Sequence, residues 1–337
     1  MLSLCPYAGI RIFFGGFKVA YTIDEIVDLL NLEDFREVYS EADRVRKENV
    51  GDIVHIRALL EFSNYCKRRC KYCGLNCTNK SVKRYRMSPE EIISATYEAA
   101  VNGYKTIVLQ SGEDNYFTPK ILGEIVKSIK KFNMDITLCC GEMDYDSYEY
   151  LKECGADRYL LKHETAQNEL YEYLHPCGTL QERIQCLKNI KKLGYETGGG
   201  FMVGLPNQTA KTIAMDLMLL KEIGCDMAGI GTFIPHPNTL LRDCGHGSTE
   251  MTKRAVALTR IIMPKINLPA TTSLGVINDK EKVDIFSCGA NVIMQKVTPN
   301  EYKALYEIYP SNLAETNIRL QRIKLENQIK ELNRIPL

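Results

Sequence analysis

The sequence predicts an α/β fold: a complete (β/α)8 barrel of the TIM type, with helices before and after it. Short apolar segments recur along the middle of the chain, and segments with helical periodicity separate them. Eight such units within about 250 residues match the usual length of this barrel. The eight candidate strands are residues 56–63, 106–113, 136–142, 158–164, 196–204, 227–235, 267–275 and 290–297.

Start and stop signals mark the helices between these strands. Ser88 is a predicted N-cap, with Pro89 in the first turn and Glu91 three residues after the cap. The periodic segments 179–194 and 208–224 both end on glycine, a common helix terminator. Regular alternation of strands and helices predicts a parallel sheet that is covered by helices.

Four segments follow from this pattern. Residues 1–20 form an N-terminal extension, and residues 21–50 contain one or two helices. The barrel spans residues 51–310, and residues 311–337 contain a charged amphipathic helix that we expect on the outside of the barrel. No stretch rich in Gly, Ser or Pro divides the chain further.

Composition excludes several classes of protein. Hydrophobic residues make up 45% and charged residues 25%, and a formal net charge of +1 gives no basic surface for nucleic acid. No apolar run approaches the roughly 18–20 residues of a membrane span, and the start lacks the features of a signal peptide. Thirteen scattered cysteines in a chain of this size indicate the reducing cytoplasm rather than a disulfide framework.

Polar residues gather where the candidate strands end. In barrels of this type the active site lies at the carboxyl ends of the strands, so these residues should share one rim. They are Cys66, Ser111, Gly112, Glu113, Glu142, His163, Glu164, Thr165, Thr271, Thr272 and Ser273, with Met294 on the last strand.

The segment CKRRCKYC places three thiols on the loop after the first strand: Cys66, Cys70 and Cys73. A four-iron cluster has four irons to coordinate, and three thiolates leave one iron open to another ligand. Basic neighbours would favour the thiolate form. Alternatively Cys77 could complete a tetrahedral zinc site, although zinc motifs rarely use these gaps.

The loop resembles the CxxxCxΦC motif of the radical S-adenosylmethionine (SAM) superfamily, with Tyr72 at the aromatic position Φ. The resemblance implies one [4Fe-4S] cluster, with SAM chelated to its open iron, and reductive cleavage of SAM to a 5′-deoxyadenosyl radical. Tyr72 and the strand around Met202 would contact adenine. The segment 111–113 would bind the SAM amino group, and Arg183 would bind the SAM carboxylate. The full set of implied SAM-site residues is Tyr72, Gln110, Ser111, Gly112, Glu113, Glu142, Glu164, Arg183 and Met202.

Each of these residues also has a structural interpretation that the sequence leaves open. Glu113 could be a surface-loop glutamate, Arg183 an exposed helix residue, and the glycines around Met202 a means of close sheet packing.

Longer segments resemble one family within the superfamily, HydE, a maturase of the [FeFe]-hydrogenase active site. They include EFSNYC, KTIVLQSGED, GADRYLLKHET, GYETGGGFMVGLPNQT and GANVIMQKVTP, and the resemblance covers about residues 51–310. It implies a long internal cavity for a small organometallic substrate that carries carbon monoxide, cyanide and cysteine. It also implies the partner maturases HydG and HydF and a low-potential electron donor. The cavity residues implied are Lys162, Thr271, Thr272, Met294 and Tyr306, although Met294 could simply fill the barrel.

The sequence departs from the family pattern at two places. Family members have arginine where this chain has Lys162, and lysine cannot make the same planar bidentate contact with an anion. No cysteine follows Cys288, so we expect no accessory cluster near the C-terminus. We also expect Cys140 to be a buried, inert thiol, although it could point into the barrel. We expect His163 and His236 to serve in packing, while the position of His236 on the rim leaves a ligand contact open.

Three alternatives remain open from sequence. A HydE-like enzyme could act on another small, amino-acid-like substrate, as the lysine mutase methylornithine synthase does. Biotin synthase is disfavoured because segment 196–204 has no cysteine for a sulfur-donating cluster. A protein without enzymatic activity would instead hold zinc at a closed four-cysteine site.

Overall fold

A computed structural model describes residues 21–277, 284–310 and 317–337 and has the predicted barrel. Within these residues, eight parallel strands are ordered β6-β5-β4-β3-β2-β1-β8-β7. A bridge between Met227 and Asn267 joins the two ends of this order. The strands are β1 Ile53–Ser63, β2 Thr106–Ser111, β3 Asp135–Cys139, β4 Arg158–Leu160, β5 Glu196–Val203, β6 Met227–Thr232, β7 Pro269–Ala270 and β8 Val292–Lys296.

Helices cover the outside of the sheet and are arranged as the sequence predicts. The two before the barrel are α1 Ile23–Leu30 and α2 Arg36–Val50. Those that follow are α3 Pro89–Val101, α4 Pro119–Lys130, α5 Tyr145–Glu153, α6 Asn168–Leu174, α7 Leu180–Lys192, α8 Ala210–Ile223, α9 Thr249–Ile262, α10 Thr272–Ile277, α11 Asn300–Lys303 and α12 Ile318–Glu331. The extension 1–20 lies outside the described residues.

The predicted cap of α3 is present in full. The Ser88 side chain accepts a hydrogen bond from the Glu91 backbone N–H, and the Glu91 carboxylate accepts one from the Ser88 N–H. Pro89 occupies the first turn, where its missing N–H leaves no helical bond unmade. Helix α8 ends on Gly224 in the left-handed conformation, as the terminal glycine indicated.

The seventh strand differs from its prediction over residues 267–275. Only Pro269 and Ala270 pair with β8, and α10 begins at Thr272. Pro269 has no backbone N–H to donate to a neighbouring strand, and this limits the hydrogen bonding of β7. Thr271 and Thr272 therefore lie at a strand end and a helix start, rather than along a strand.

The chain end contributes an element that the sequence did not reveal. Ile335–Pro336 forms a short strand, β9, that pairs in parallel with Ile53 and Val54 at the beginning of β1. The preceding helix α12 buries one face, which includes Leu325 and Ile329. The last residues of the chain are thereby fixed to the first strand of the barrel.

Charged side chains close the barrel at the amino ends of its strands. Arg158 pairs with Glu196 at 2.5 Å and with Asp135 at 3.0 Å. Arg57 reaches from β1 to Glu196 at 3.7 Å and donates a hydrogen bond to the Met227 sulfur at 3.1 Å. These ion pairs lie at the end of the barrel opposite the cysteine loop, which follows the carboxyl end of β1. In the described part of the chain, no helix has the length and apolar character needed to span a bilayer.

Candidate active site in the barrel

One cavity of about 340 Å³ lies inside the barrel and reaches the cysteine loop. It brings together the three motif cysteines and every residue of the implied SAM site and substrate cavity except Glu142. Those lining it are Cys66, Cys70, Tyr72, Cys73, Gln110, Ser111, Gly112, Glu113, Lys162, Glu164, Arg183, Met202, Thr271, Thr272, Met294 and Tyr306. Residues from eight different segments of the chain thus share one space, as the barrel topology predicts.

The three motif cysteines line the cavity together, whereas Cys77 does not. Burial raises the pKa of the Cys66 thiol and raises that of Cys73 to about 12. Burial also raises the pKa of Cys70, and the neighbouring thiols Cys73 and Cys66 raise it further. Ionising three crowded, buried thiols requires a strongly positive partner, so this donor set fits an iron–sulfur cluster.

Among the described residues, no three His, Cys, Asp or Glu side chains meet closely enough to hold a single metal ion. The Arg68 backbone N–H donates to the Cys66 sulfur at 3.4 Å. Hydrogen bonds of this kind adjust the reduction potential of a cluster that a thiolate ligates.

Two arginines and two glutamates form a charged network beside the thiols. Arg68 pairs through Nε with Glu113 and through Nη2 with Glu142, both at 2.5 Å. Arg183 lies 2.7 Å from Glu142 and donates a hydrogen bond to the Tyr171 hydroxyl at 3.0 Å. Glu142 thus lies outside the cavity lining and positions two arginines, and its contact with SAM stays a prediction.

This network also corrects the expectation that basic loop residues promote thiolate formation. Arg68 mainly pairs with carboxylates, Arg69 is exposed at the Cys177 thiol, and Lys71 lies over the Tyr173 ring. Burial outweighs them in raising the thiol pKa values.

Arg183 is buried, with 9% of its surface exposed, and it lines the cavity. The interpretation of this residue as an exposed arginine on a helix surface is therefore wrong. Its guanidinium is available at the cavity wall, where it could bind a carboxylate.

Two glycines permit close packing around Glu113. A Cβ atom at Gly141, whose φ is +82°, would fall 1.9 Å from the Glu113 Cγ. One at Gly112 would fall 2.2 Å from the Tyr65 carbonyl oxygen, next to Cys66. Glu113 is 8% exposed, so it is not a surface-loop residue.

Glu164 enters the cavity from an unusual backbone conformation. Its φ is +65°, and the Thr165 N–H donates to the His163 carbonyl at 2.8 Å, which closes a tight turn around it. The Glu164 N–H also donates to the Gly200 carbonyl of β5 at 3.0 Å. Its carboxylate pairs with Lys162 Nζ at 2.9 Å. Two oppositely charged side chains that are close in sequence thus face the cavity.

His163 has the packing role that the sequence indicated. It is fully buried, and its Nε2 lies 3.2 Å from Asp216 Oδ1 on α8. Burial lowers the pKa of His163 to about 3, so the ring is neutral. It does not line the cavity.

Tyr72 is held by a second buried histidine. His175 Nδ1 lies 3.1 Å from the Tyr171 carbonyl oxygen, which can only accept, so Nδ1 carries the proton. Nε2 therefore accepts a hydrogen bond from the Tyr72 hydroxyl at 3.0 Å. Burial lowers the pKa of His175 to about 3 and keeps this arrangement neutral.

The position of Cys140 needs correction. Cys139, and not Cys140, lines the cavity, because β3 ends at Cys139 and Gly141 then turns the chain with a φ of +82°. The strand alternation that linked Cys140 to Glu142 ends there. Cys140 is buried as expected, but not in the cavity wall.

His236 is also absent from the cavity lining. It packs against Gly74 of the cysteine loop, where a Cβ atom would approach its Cδ2 at 2.6 Å. A ligand contact by His236 is thus not part of this geometry.

Sequence reasoning did not place several charged or polar residues in the cavity, among them Glu61, Arg68, Thr232, Lys296 and Tyr309. Glu61 is the one acidic residue within the apolar strand segment 56–63, and this contrast was the signal that could have found it. Lys296 and Tyr309 lie shortly after Met294 and Tyr306 in the chain. No motif or spacing around them marks them as cavity residues.

Comparisons with known proteins agree with this geometry. The model of the radical SAM superfamily matches residues 60–220. The [FeFe] hydrogenase maturase subunit HydE of Thermotoga maritima is 49% identical over 296 residues, which cover 87% of this chain and 85% of that protein. The 3-methylornithine synthase of Methanosarcina acetivorans is 31% identical over 286 residues, or 83% and 80% of the two chains. A crystal structure of methylornithine synthase matches with a TM-score of 0.82 at 25% identity, covering 94% of each chain.

The matched region contains the cysteine loop, the carboxylates at the strand ends and Arg183. Members of this superfamily bind a [4Fe-4S] cluster and SAM. We conclude that the chain belongs to the radical SAM superfamily, among the enzymes related to the hydrogenase maturase HydE.

Proposed function

We propose that this radical SAM enzyme cleaves SAM reductively and acts as a HydE-type maturase in the assembly of the diiron cofactor of [FeFe]-hydrogenase. The observation that supports it most is the single cavity that joins the three motif cysteines to Lys162, Thr271, Met294 and Tyr306. A radical formed at the cysteine loop would thus arise in the same space as a bound substrate.

Cys66, Cys70 and Cys73 would hold one [4Fe-4S] cluster. When bound, the reduced cluster supplies one electron to SAM, whose carbon–sulfur bond breaks to give methionine and a 5′-deoxyadenosyl radical. In the remaining described chain Cys139 also lines the cavity, but its position at the end of β3 separates it from the loop. We therefore expect a single cluster.

The residues around the cluster loop would bind and orient SAM. Arg183 offers a guanidinium to the SAM carboxylate, and Glu113 with the carbonyl groups beside it offers acceptors to the amino group. Tyr72 and Met202 provide apolar surface for adenine, alongside Gln110, Ser111, Gly112 and Glu164. Arg68, which also lines the cavity, would fix Glu113, and Glu142 would fix Arg183.

The substrate would be a small organometallic iron complex from the partner maturase HydG, with HydF receiving the product and a low-potential donor supplying electrons. Lys162 stands in this cavity where the family has arginine, and it pairs with Glu164. As an ammonium, Lys162 would attract an anionic complex without bidentate geometry.

Maturation is the decisive experiment. Inactive [FeFe]-hydrogenase would be incubated anaerobically with HydF, HydG and this protein in place of the native maturase. Hydrogen evolution above that of the mixture without this protein is expected. Cleavage of SAM without any gain in hydrogenase activity would contradict the maturase role while leaving the radical SAM chemistry intact.

A second candidate substrate is favoured by the similarity to 3-methylornithine synthase. An enzyme of that type would convert lysine to 3-methylornithine in the presence of SAM and reductant. Product analysis by mass spectrometry separates the two functions, because the maturase leaves lysine unchanged. A closed zinc site would instead give a colourless protein that leaves SAM intact.

A further inference from the structure

A second pair of opposite charges faces the barrel cavity, from β1 and β8. Lys296 Nζ lies 2.9 Å from Glu61 Oε1, and both side chains line the cavity. The Glu61 side chain is 3% exposed and that of Lys296 is 22% exposed. Neither residue belongs to the set that the family resemblance implies.

The pair is held in place by its own strands. The Glu61 backbone N–H donates to the Thr298 hydroxyl at 3.0 Å, and Thr298 Oγ1 lies 3.4 Å from Glu61 Oε2. Glu61 is paired across the sheet with Gln110, whose amide donates to the Tyr306 hydroxyl at 3.3 Å. The Tyr306 hydroxyl accepts this bond, so its own proton remains to be donated.

Stability alone is a weak reason for this pair. Moving two charges out of water is costly, and apolar side chains of the same size often replace a buried ion pair without loss of stability. The Arg158–Glu196 pair has a structural use, because it closes the amino end of the barrel. Lys296 and Glu61 face the cavity instead, where a ligand can reach them.

The two charges restrict what could bind beside them. An anion at Lys296 would meet the Glu61 carboxylate, and a cation at Glu61 would meet the Lys296 ammonium. A group that carries both charges on neighbouring atoms satisfies each partner without this repulsion. The Tyr306 hydroxyl, which lines the same cavity, can donate a hydrogen bond to such a group.

We propose that Lys296 and Glu61 form a subsite for a zwitterionic head group, with the carboxylate on Lys296 and the ammonium on Glu61. The proposal rests on the proposed function, since the head group would anchor the substrate of the same cavity. It places the charged end of the substrate at β1 and β8, apart from the Lys162–Glu164 pair on the β4 side.

The test uses three small probes of matched size: L-norvaline, which carries both charges, n-butylamine, which carries the cation, and pentanoate, which carries the anion. Reconstituted protein is first saturated with SAM without reductant, because SAM itself has an amino-acid end and must fill its own site. Binding is then measured by saturation-transfer NMR titration. Norvaline should bind at least tenfold more tightly than either singly charged probe.

The double variant Glu61→Gln/Lys296→Met removes both charges at nearly constant size, and circular dichroism checks its fold. It should bind norvaline at least tenfold more weakly than the wild type does. The control Lys188→Met/Glu222→Gln removes a Lys–Glu pair from the exposed surface and should bind norvaline normally.

Equal binding of pentanoate or n-butylamine, or undiminished norvaline binding by the double variant, would overturn the subsite. Should Glu61→Gln/Lys296→Met fail to fold, the single variant Glu61→Gln, which leaves only the more exposed Lys296 charge, should still bind norvaline at least tenfold more weakly than the wild type does. Wild-type cleavage of SAM under reductant is measured separately. Its absence would refute the proposed function, whereas cleavage with no norvaline binding would refute only the subsite.

Discussion

Arg183 Nε lies 2.7 Å from the Glu142 carboxylate, which joins α7 to the loop after β3 at the cavity wall. Both side chains are nearly buried, at 11% and 12% exposure. The pair explains how a helix residue is aimed into the barrel: Glu142 fixes one edge of the guanidinium, and the Tyr171 hydroxyl accepts from it as well. The contribution of Glu142 is therefore to positioning.

Replacing Glu142 with glutamine should weaken SAM binding and destabilise the fold. Arg183 and Arg68 would both lose a carboxylate partner, and a broken buried pair costs about 3 kcal/mol or more. Unfolding in urea and the KM for SAM measure the two effects, and we expect KM to rise more than tenfold. Glu124→Gln removes an exposed partner of Lys127 and should cost less than about 1 kcal/mol. A Glu142 variant with unchanged KM would show that Arg183 needs no such support.

Alanine variants of the four cysteines in and beside the loop should differ sharply in SAM cleavage. Alanine at Cys66, Cys70 or Cys73 should abolish SAM cleavage, because each removes one of the three thiolates of the cluster. Cys77→Ala should retain cleavage, since that thiol does not line the cavity. Iron content and the formation of 5′-deoxyadenosine under reductant report the outcome. Retained cleavage in Cys70→Ala would refute the assignment of the ligands.

Alanine at Gly141 should disturb Glu113 directly. The new methyl group would overlap the Glu113 side chain, in addition to the roughly 1–2 kcal/mol cost of a side chain in the left-handed region. Gly103→Ala is the matched control, because its φ of +90° carries the same strain with nothing within 4 Å. Both variants should lose stability, but only Gly141→Ala should lose most of its SAM cleavage. Equal activity in the two variants would mean that the position of Glu113 does not matter.

Stability should fall on acidification because of two buried neutral histidines. His163 and His175 have pKa values of about 3 when folded and about 6.5 when unfolded. Between these values the unfolded chain binds more protons, so stability is full above about pH 6.5 and decreases as the pH is lowered towards 3. Each histidine contributes up to about 1.4 kcal/mol per pH unit.

Urea unfolding under anaerobic conditions at pH 7.5, 6.0 and 5.0 measures this slope, with absorbance used to follow cluster content. His163→Leu should reduce the histidine contribution by about half, and the exposed variant Glu124→Gln should not change it. A slope that is the same in His163→Leu and the wild type would contradict the neutral, buried state of this ring.

Much of the fold could be predicted from sequence because local signals agree with the barrel. Capping residues such as Ser88 and Glu91 define a helix start within a few residues, and apolar runs identify β1 and β5. The exceptions are elements of two residues, Pro269–Ala270 and Ile335–Pro336. Their pairing depends on the positions of other strands, and two residues carry no periodicity.

The candidate site was partly predictable for a related reason. Cys66, Cys70 and Cys73 share one loop, so their spacing alone indicates a cluster. The Lys296–Glu61 pair joins residues that are 235 positions apart and meet only when β8 lies beside β1. The possibility that Cys140 points into the barrel rested on strand alternation, which a turn at Gly141 ends.

The pairing of β1 has a consequence for the order of events during synthesis. β1 leads directly into the cysteine loop, and its neighbours in the sheet include β8 and β9, which are made long after it. A nascent chain therefore cannot complete the environment of that loop until β8 and β9 have left the ribosome. We expect a cluster to enter the finished site only after both strands have been made.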